Sequence, residues 1–322
     1  MSARPAARLS VIIRCFNEER HIGRLLSGIA AQSVEDVEIV VVDSGSTDRT
    51  LEVASAYPVK LLHIAPEAFS FGRALNMGCE AATGEVLAIA SAHVYPLYED
   101  WLARLAGAFA DPKVGLVYGS QRGDQRTRYS ERQIFAKTYP EGSVPDQGHP
   151  FCNNANAAVR RSLWERLRYD EALTGLEDVD FAHRAMRLGH RIAYDAEAAV
   201  VHVHEETPGR IYKRYFREAL ALKRILPEER FTALDLIRLW PANIVSDLYH
   251  ALGDRVLLRR AAEIVMFRTM QFWGTYHGWR RRAAVGRELR QTFYYPKGFT
   301  RSGAGEDASG ERREIDYTEA RG

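Results

Sequence analysis

The stretch Val37-Glu38-Ile39-Val40-Val41-Val42-Asp43-Ser44-Gly45-Ser46-Thr47-Asp48 passes from a run of β-branched residues into residues that favour turns and helix starts. The run predicts a buried strand, and the polar cluster predicts the start of a helix that continues to Tyr57. Leu9 to Ile13 form a similar run, followed by an amphipathic helical pattern from Glu18 to Gln32. This alternation predicts an α/β fold with a mostly parallel central sheet and helices on both faces.

The same alternation continues to about residue 209, with one interruption. Between residues 120 and 150 the periodicity is lost among Gly, Asp, Arg, Gln and Pro residues, which predicts a long functional loop. The other predicted strands cover residues 59–64, 86–90, 114–118, 156–159, 192–194 and 199–203, and the other predicted helices cover 72–82, 101–109 and 178–188.

Composition and charge divide the chain into three parts. We expect a catalytic α/β domain over residues 1–209, a helical C-terminal extension over 210–300 and a disordered polar tail over 301–322. Residues 1–209 hold 22 Lys and Arg against 28 Asp and Glu, whereas residues 210–300 hold 18 against 8. The basic extension suits nucleic acid, anionic lipid or an acidic substrate, or is simply a solvated helical surface.

The overall composition excludes several classes of protein. With 322 residues, 46% apolar and 27% charged, the chain is typical of a soluble globular protein. Its three cysteines lie far apart without a CxxC pair, which argues against a disulfide framework or a zinc ribbon. The sequence shows no signal-peptide pattern and no uncharged run of membrane-spanning length, so we expect a cytoplasmic location. The absence of GxGxxG and GxxxxGK[ST] patterns disfavours Rossmann dehydrogenases and P-loop nucleotidases.

Three motifs in order carry a resemblance to a known family. They are Val11-Ile12-Ile13-Arg14-Cys15-Phe16-Asn17-Glu18-Glu19, Val40-Val41-Val42-Asp43-Ser44-Gly45-Ser46-Thr47-Asp48 and Glu177-Asp178-Val179-Asp180. This set, over about residues 8–220, resembles inverting family-2 glycosyltransferases with the A-type nucleotide-sugar fold. Three further segments look most like the rhamnosyltransferase-type branch that builds bacterial surface polysaccharides: residues 69–76, 117–121 and 201–204.

The resemblance implies a nucleotide-sugar site at the carboxyl ends of the strands. Asp43 would accept a hydrogen bond from the imide N–H of uracil or thymine, although it could instead cap the following helix. Arg73 and Asn76 would lie near the diphosphate, where a guanidinium suits phosphate oxygens, unless Arg73 is an ordinary surface residue. The remaining expected nucleotide-sugar contacts are Phe16, Glu18, Ser91 and His93.

One position departs from the family pattern. Most members end the fourth strand with two aspartates spaced by one residue, the second binding Mg²⁺ or Mn²⁺, whereas this chain has Ser91-Ala92-His93. A neutral His93 imidazole can ligate a divalent ion, can donate a hydrogen bond to the β-phosphate, or can be structural. His202 and His204 alternate on a predicted strand and so face the same way. With His93 they make a candidate site for Mn²⁺ or Mg²⁺; the alternative is a stacked polar face.

Inverting transfer needs a base that takes the proton from the acceptor hydroxyl. The resemblance implies Asp178 for this role, with Glu177 as the second candidate. Asp180 is expected to cap the helix or pair with Arg184. The alternative for the whole run is a charged helix start that the helix dipole favours.

The extension mixes aromatic residues with arginines along helices, as in residues 211–217, 256–260 and 267–282. This pattern is typical of an interfacial helix on anionic lipid, which would fit a lipid-linked acceptor. It is equally typical of helices that pack on the catalytic domain or on a second copy in a homo-oligomer. No RNA-binding motif accompanies it, so we expect no nucleic-acid partner.

The sequence therefore predicts an inverting glycosyltransferase that moves a sugar from a UDP- or dTDP-sugar to a saccharide or lipid-linked acceptor. Two alternatives stay open. One is a sugar-nucleotide-binding protein without turnover, suggested by the missing aspartate pair. The other is a nucleotidyltransferase, which would normally carry a glycine-rich basic loop after its first strand, where this chain has Asn17-Glu18-Glu19.

Overall fold

The computed structural model describes residues 8–204, 206–228, 230–280 and 312–317. The strands of the described residues are β1 Leu9–Cys15, β2 Glu38–Asp43, β3 Lys60–His63, β4 Val86–Ser91, β5 Val94–Pro96, β6 Val114–Arg122, β7 Asn156–Arg160 and β8 Arg191–His202. The α-helices are α1 Ile22–Ala30, α2 Thr50–Ser55, α3 Phe71–Ala81, α4 Trp101–Gly107, α5 Tyr129–Thr138, α6 Arg161–Leu167, α7 Glu177–Arg187, α8 Pro208–Ile225, α9 Ala233–Gly253 and α10 Leu257–Arg280.

All eight strands form one mixed sheet in the order β3-β2-β1-β4-β7-β6-β8-β5. β1 pairs in parallel with β2 and β4, β2 with β3, and β6 with β8. β7 is antiparallel to both β4 and β6, and β5 is antiparallel to β8. Because β5 and β7 run the opposite way, their first residues lie at the same edge as the last residues of the other six strands. We call this the carboxyl edge.

Helices cover both faces of the sheet, as the sequence predicts. Alternate residues of one strand point to opposite faces, so Ile12 and Val40 enter one buried cluster, whereas Val11 and Val41 enter the other. The first cluster takes in residues of α3, α6 and α7 together with α8, α9 and α10. The second takes in residues of α1, α2 and α4. The helices of the extension therefore share a core with the sheet.

The predicted boundaries were wrong in three places. The segment 120–150 is not a plain loop, because β6 continues to Arg122 and α5 follows at Tyr129–Thr138. The two strands expected after residue 190 are one strand, β8, whose register with β6 shifts between Gly119 and Gln121. The first helix starts at Ile22 rather than residue 18, because Asn17 adopts a left-handed conformation with φ of 56° that ends the strand in a turn.

Part of the helical extension packs inward, including several of its aromatic and basic residues. Arg268 is 1% exposed, and its Nε lies 2.7 Å from Asp247 Oδ2. Phe267, Phe272 and Trp279 are also buried. The expected domain boundary at residues 209 and 210 falls inside the first turn of α8. The helical pattern was predicted to continue to about residue 295, and residues 281–300 of the extension lie outside the described residues.

The tail prediction was wrong for residues 312–317, which pack along β5. The Ile315 N–H donates to the Leu97 carbonyl oxygen at 3.0 Å, and the Tyr317 hydroxyl donates to the Pro96 carbonyl oxygen at 2.6 Å. The physical reason is that an edge strand presents unpaired backbone groups, which this segment satisfies. The rest of the predicted tail, 301–311 and 318–322, lies outside the described residues.

Candidate active site

The carboxyl edge brings together residues that are far apart in the sequence. The topology explains this, because six strands end there and the two reversed strands begin there. The polar residues at this edge are Arg14 and Asp43 near the ends of β1 and β2, Ser91 at the end of β4, His93 between β4 and β5, Gln121 near the end of β6, Asn154 before β7, His202 at the end of β8 and His204 two residues after it.

Three imidazoles form a compact cluster at this edge. The ring centroids of His93 and His202 lie 5.0 Å apart, those of His93 and His204 5.5 Å, and those of His202 and His204 4.1 Å. One nitrogen from each of the three lies within 4.8 Å of the others. The three predicted metal-ligand residues are therefore within reach of one ion.

Each imidazole of this cluster is oriented by a separate partner. Nδ1 of His93 lies 2.7 Å from Glu18 Oε1, and Nδ1 of His202 lies 2.6 Å from Gln121 Oε1. Nδ1 of His204 lies 2.7 Å from Glu131 Oε1. A proton on each Nδ1 would satisfy these acceptors and leave the three Nε2 atoms with lone pairs, as in metal-ligating histidines.

The buried member of the cluster supports this assignment. Nε2 of His202 is buried and has no hydrogen-bond partner among the described residues. Burial, followed by the neighbouring imidazoles of His204 and His93, lowers the pKa of His202 well below its ordinary value. A neutral imidazole with an unsatisfied buried nitrogen is the form that binds a cation. The residues present therefore fit a divalent metal ion.

A second acidic group lies next to the cluster but is already neutralised. Arg214 Nη2 lies 2.8 Å from both Glu131 Oε1 and Glu206 Oε2. Although burial opposes ionisation, the adjacent His204 and Arg214 lower the pKa of Glu131 to about 2 through electrostatic contact and hydrogen bonds. Glu131, His204 and Glu206 also have ligand spacing. Because the Arg214 guanidinium is already paired with the carboxylates of Glu131 and Glu206, the three-histidine cluster is the better candidate for a metal site.

The predicted base, Asp178, lies at the start of α7 and is buried. Its Oδ2 accepts a hydrogen bond from the Asn154 backbone N–H at 2.9 Å, and its Oδ1 accepts one from Val179 N–H at 2.8 Å. Burial and then the adjacent charge of Glu177 raise the pKa of Asp178 to about 7. Glu177 itself is paired with Arg14, at 3.1 Å between Oε1 and Nη1. The two candidate carboxylates thus have different environments.

Asp43 ends β2 in a tight loop. Its Oδ2 accepts a hydrogen bond from Gly45 N–H at 2.9 Å, and both of its carboxylate oxygens lie within 3.2 Å of the Ser46 backbone nitrogen. Nδ1 of His63 lies 3.7 Å from Oδ2. Asp43 therefore holds its own loop and does not cap α2, which begins at Thr50, and contact with a nucleobase stays a prediction.

Residues 10–168 match the family model for glycosyl transferase family 2. This part of the chain is a family-2 glycosyltransferase domain. The chain is 27% identical over 224 residues to the O-antigen chain rhamnosyltransferase RfbN of Salmonella typhimurium, covering 65% of this chain and 70% of that protein. It is 28% identical over 198 residues to the O-antigen chain rhamnosyltransferase WbaN of Salmonella anatum, covering 58% and 62%.

Solved structures of low identity share the fold. The mannosyltransferase PcManGT from Pyrobaculum calidifontis, in complex with GDP-Man and Mn²⁺, aligns with a TM-score of 0.59 at 24% identity, covering 86% of this chain and 85% of that one. S. aureus TarS in complex with UDP-GlcNAc aligns with a TM-score of 0.54 at 18% identity, covering 82% and 90%. These likenesses confirm the expected A-type fold of the family-2 domain and carry no statement about ligands.

The other predicted nucleotide-sugar contacts of the family-2 domain differ in how accessible their side chains are to a ligand. Phe16 is 51% exposed directly after β1, and Arg73 is exposed on the first turn of α3. Ser91 lies half-buried at the end of β4, and its N–H donates to the Ala155 carbonyl oxygen at 3.4 Å. These three side chains are available to a ligand.

Asn76 is different, because its side-chain amide is fully used within the protein. The Nδ2 donates to the Tyr169 carbonyl oxygen at 3.0 Å and to Glu171 Oε1 at 2.9 Å. The Oδ1 accepts from Trp164 Nε1 at 3.1 Å and from Tyr169 N–H at 2.9 Å. The amide therefore has a structural role, in place of the expected diphosphate contact.

Three residues of the site were not predicted from the sequence. Gln121 and Glu131 orient two of the histidines. Asn154 is 2% exposed, and neither polar atom of its side chain has a partner among the described residues. Gln121 and Glu131 lie in the segment 120–150 that was expected to be functional, and Gln121 also ends the segment 117–121 that carries part of the family resemblance, whereas no sequence signal pointed to Asn154. Among the described helices, none is both long and apolar enough to cross a bilayer.

Proposed function

We propose that the protein is an inverting glycosyltransferase that moves a sugar from a UDP- or dTDP-sugar to a saccharide or lipid-linked acceptor in bacterial surface polysaccharide synthesis. The observation that carries the proposal is the buried carboxylate of Asp178 at the same sheet edge as three oriented imidazoles. The relatives named O-antigen rhamnosyltransferases support the class of acceptor. We place the reaction in the cytoplasm, with peripheral membrane contact through the helical extension.

In this proposal Asp178 is the general base. The acceptor oxygen attacks the anomeric carbon from the side opposite the diphosphate, and the proton of that hydroxyl passes to the Asp178 carboxylate. The bond between the anomeric carbon and the diphosphate oxygen breaks, and the nucleoside diphosphate leaves. A base with a pKa of about 7 is suited to this step near neutral pH. Glu177 raises that pKa, and Arg14 holds Glu177 in place.

The charge of the leaving diphosphate is met at the histidine cluster. A divalent cation bound by His93, His202 and His204 would supply positive charge to the diphosphate oxygens. Glu18, Gln121 and Glu131 hold the three rings in one tautomer and orientation. Because imidazole is a softer ligand than carboxylate, we expect Mn²⁺ to serve better than Mg²⁺. The exposed guanidinium of Arg73 is proposed to contact the same phosphates.

The nucleobase and the sugar are assigned to three other residues at the edge. Asp43 is proposed to accept the imide N–H of uracil or thymine, and the exposed Phe16 ring offers an apolar face to the base. The unpartnered amide of Asn154, whose backbone binds Asp178, is proposed to bind sugar or acceptor hydroxyls. An unsatisfied buried amide is costly unless a ligand pairs with it.

A binding protein without turnover is the second candidate, because Ser91-Ala92-His93 lacks the aspartate pair of most family members. Two measurements on one donor panel separate the candidates. Thermal unfolding with UDP-, dTDP- and GDP-sugars, with and without Mn²⁺, reports binding, since a ligand of the native state raises its stability. Release of nucleoside diphosphate reports turnover. The proposal expects both for a pyrimidine donor; stabilisation without release would favour the binding protein.

A further inference from the structure

Helix α9 carries an apolar stripe on the side that faces away from the protein. Leu234 is 78% exposed and Ile237 68%. Val245, Tyr249 and Leu252 continue the stripe toward the end of the helix, and all are more than half exposed. The spacing keeps them on one face of a helix. The start of α10 adds Leu258, which is almost fully exposed.

This stripe is not the core face of α9. The core face carries Leu236, Leu239 and Ala251, which are buried. Asn243 and Asp247 complete it, and Asp247 binds the buried Arg268. A surface helix of a soluble domain normally presents charged residues to water opposite its core face. α9 is apolar on both sides, and a contiguous exposed apolar patch indicates an interaction surface.

The charges beside the stripe are mostly positive. Arg238, Arg255 and Arg259 are exposed beside it, and the described residues give them no ionic partner. Every acidic side chain of α9 and α10 has a partner inside the protein. Asp235 accepts a hydrogen bond from Thr232 N–H, Asp247 binds Arg268, and Glu263 binds Arg260. Asp254, directly after α9, accepts a hydrogen bond from the Tyr129 hydroxyl. Only Asp247 and Glu263 are paired with cations, so Asp235 and Asp254 keep their charge, but the three exposed arginines give the rim of the stripe an excess of positive charge.

We propose that the outer face of α9 lies on an anionic lipid surface, with α9 in the plane of the interface. Apolar residues would enter the boundary between headgroups and acyl chains while the arginines meet lipid phosphates. A second copy of the chain fits less well, because a symmetric contact would bring one arginine rim against another. This lipid contact rests on the proposed function and is made by the outer face of α9, whereas Phe267, Arg268 and Phe272 of the sequence pattern are buried.

Vesicle co-sedimentation of the full chain without donor tests this face. Phosphatidylcholine vesicles with and without phosphatidylglycerol are the probe. We expect binding to the anionic vesicles that weakens as salt increases. Ile237→Glu with Val245→Glu should reduce the affinity at least tenfold, on the order expected from two lost apolar contacts and two added negative charges. Leu188→Glu is the matched control, since Leu188 is an exposed apolar residue outside the stripe, and it should bind like the wild type.

A second variant keeps the test decisive if the glutamates disturb folding. Arg238→Ala with Arg255→Ala should weaken binding by roughly 30-fold at low salt, from about 1 kcal/mol for each arginine near an anionic surface. Wild-type protein that stays with the supernatant overturns the proposal. So does a concentration-dependent dimer that the Ile237→Glu, Val245→Glu variant loses, because that would assign the face to a second copy. Donor turnover in solution, measured on the same variants, reports separately on the proposed transferase.

Discussion

Nδ1 of His93 lies 2.7 Å from a carboxylate oxygen of Glu18. The pair joins two loops that follow different strands, β1 and β4, which are neighbours in the sheet. Glu18 thereby fixes which nitrogen of His93 is left for a ligand. The sequence predicts that Glu18 contacts the nucleotide sugar. Its contact with His93 adds a second role, which is to orient a proposed metal ligand.

Removing the Glu18 carboxylate is expected to weaken metal binding. Glu18→Ala should lower the affinity for Mn²⁺ by about 10–100-fold, the usual effect of losing a partner behind a ligating histidine. Titration of Mn²⁺ by calorimetry measures this. Glu19→Ala is the control, because Glu19 accepts a backbone N–H from Arg49 and does not contact His93. Equal affinity in the wild type and in Glu18→Ala would separate His93 from any metal site.

The pH dependence of turnover should report the environment of Asp178. Its folded pKa of about 7 lies above the ordinary value of 3.8, so the active carboxylate form accumulates as pH rises through neutrality. The rate kcat/KM should therefore rise across that range. Glu177→Gln removes a charge that raises this pKa and leaves Arg14, which lowers it. The rise should then move to lower pH; an unmoved profile would show that another group titrates.

Asp43→Ala should weaken binding of UDP or dTDP by about 1.5–3 kcal/mol, the range for a hydrogen bond to a charged group. Because Asp43 also accepts hydrogen bonds within its own loop, the control variant must remove a loop contact without removing the proposed contact with the nucleobase. Asp48→Ala does so, since Asp48 Oδ1 accepts from Thr50 N–H at 2.9 Å. Calorimetric titration of both variants separates the two roles. Competition by GDP as strong as by UDP would contradict the pyrimidine assignment.

The helical extension should depend on its buried ion pair. Asp247→Ala leaves Arg268 as an unpaired buried cation, and the free energy of unfolding should fall by about 3–5 kcal/mol. Replacing both residues, Asp247→Leu with Arg268→Met, removes the charges together and should recover much of that loss. Urea unfolding measures both variants. A loss as large in the double variant as in Asp247→Ala would show that packing, not charge, dominates this site.

The sequence predicts which residues lie at the carboxyl edge of the sheet, but it does not predict the hydrogen bonds that orient them. Asp43, His93 and Asp178 follow from strand ends and motif order, because parallel strands bring their carboxyl ends together. The pairing of Glu131 with His204 was not predictable, since it depends on α5, whose amphipathic pattern is weak and interrupted by charge. Asn76 looked available in sequence, but its amide is consumed by the chain around Tyr169, nearly a hundred residues away.

The helical extension also contains contacts that the sequence alone could not predict. Arginines and aromatic residues along a helix predict a surface, but Arg214 and Arg268 find acidic partners only in the folded protein. The outer stripe of α9 contains ordinary apolar residues that a sequence pattern assigns to a core. Which side of an apolar helix is covered depends on how its neighbours pack, and local periodicity does not carry that information.

Release of nucleoside diphosphate from a pyrimidine sugar donor, measured for Asp178→Asn beside Asp180→Asn, tests whether Asp178 is the general base. Asp180 lies on the same helix but binds Arg184, at 2.8 Å between Oδ2 and Nε. In the presence of acceptor and Mn²⁺, Asp178→Asn should lower kcat by about 10²–10⁴ with nucleotide affinity kept within a few-fold, while Asp180→Asn should turn over like the wild type. Turnover by Asp178→Asn at the wild-type rate would contradict the general-base role of Asp178.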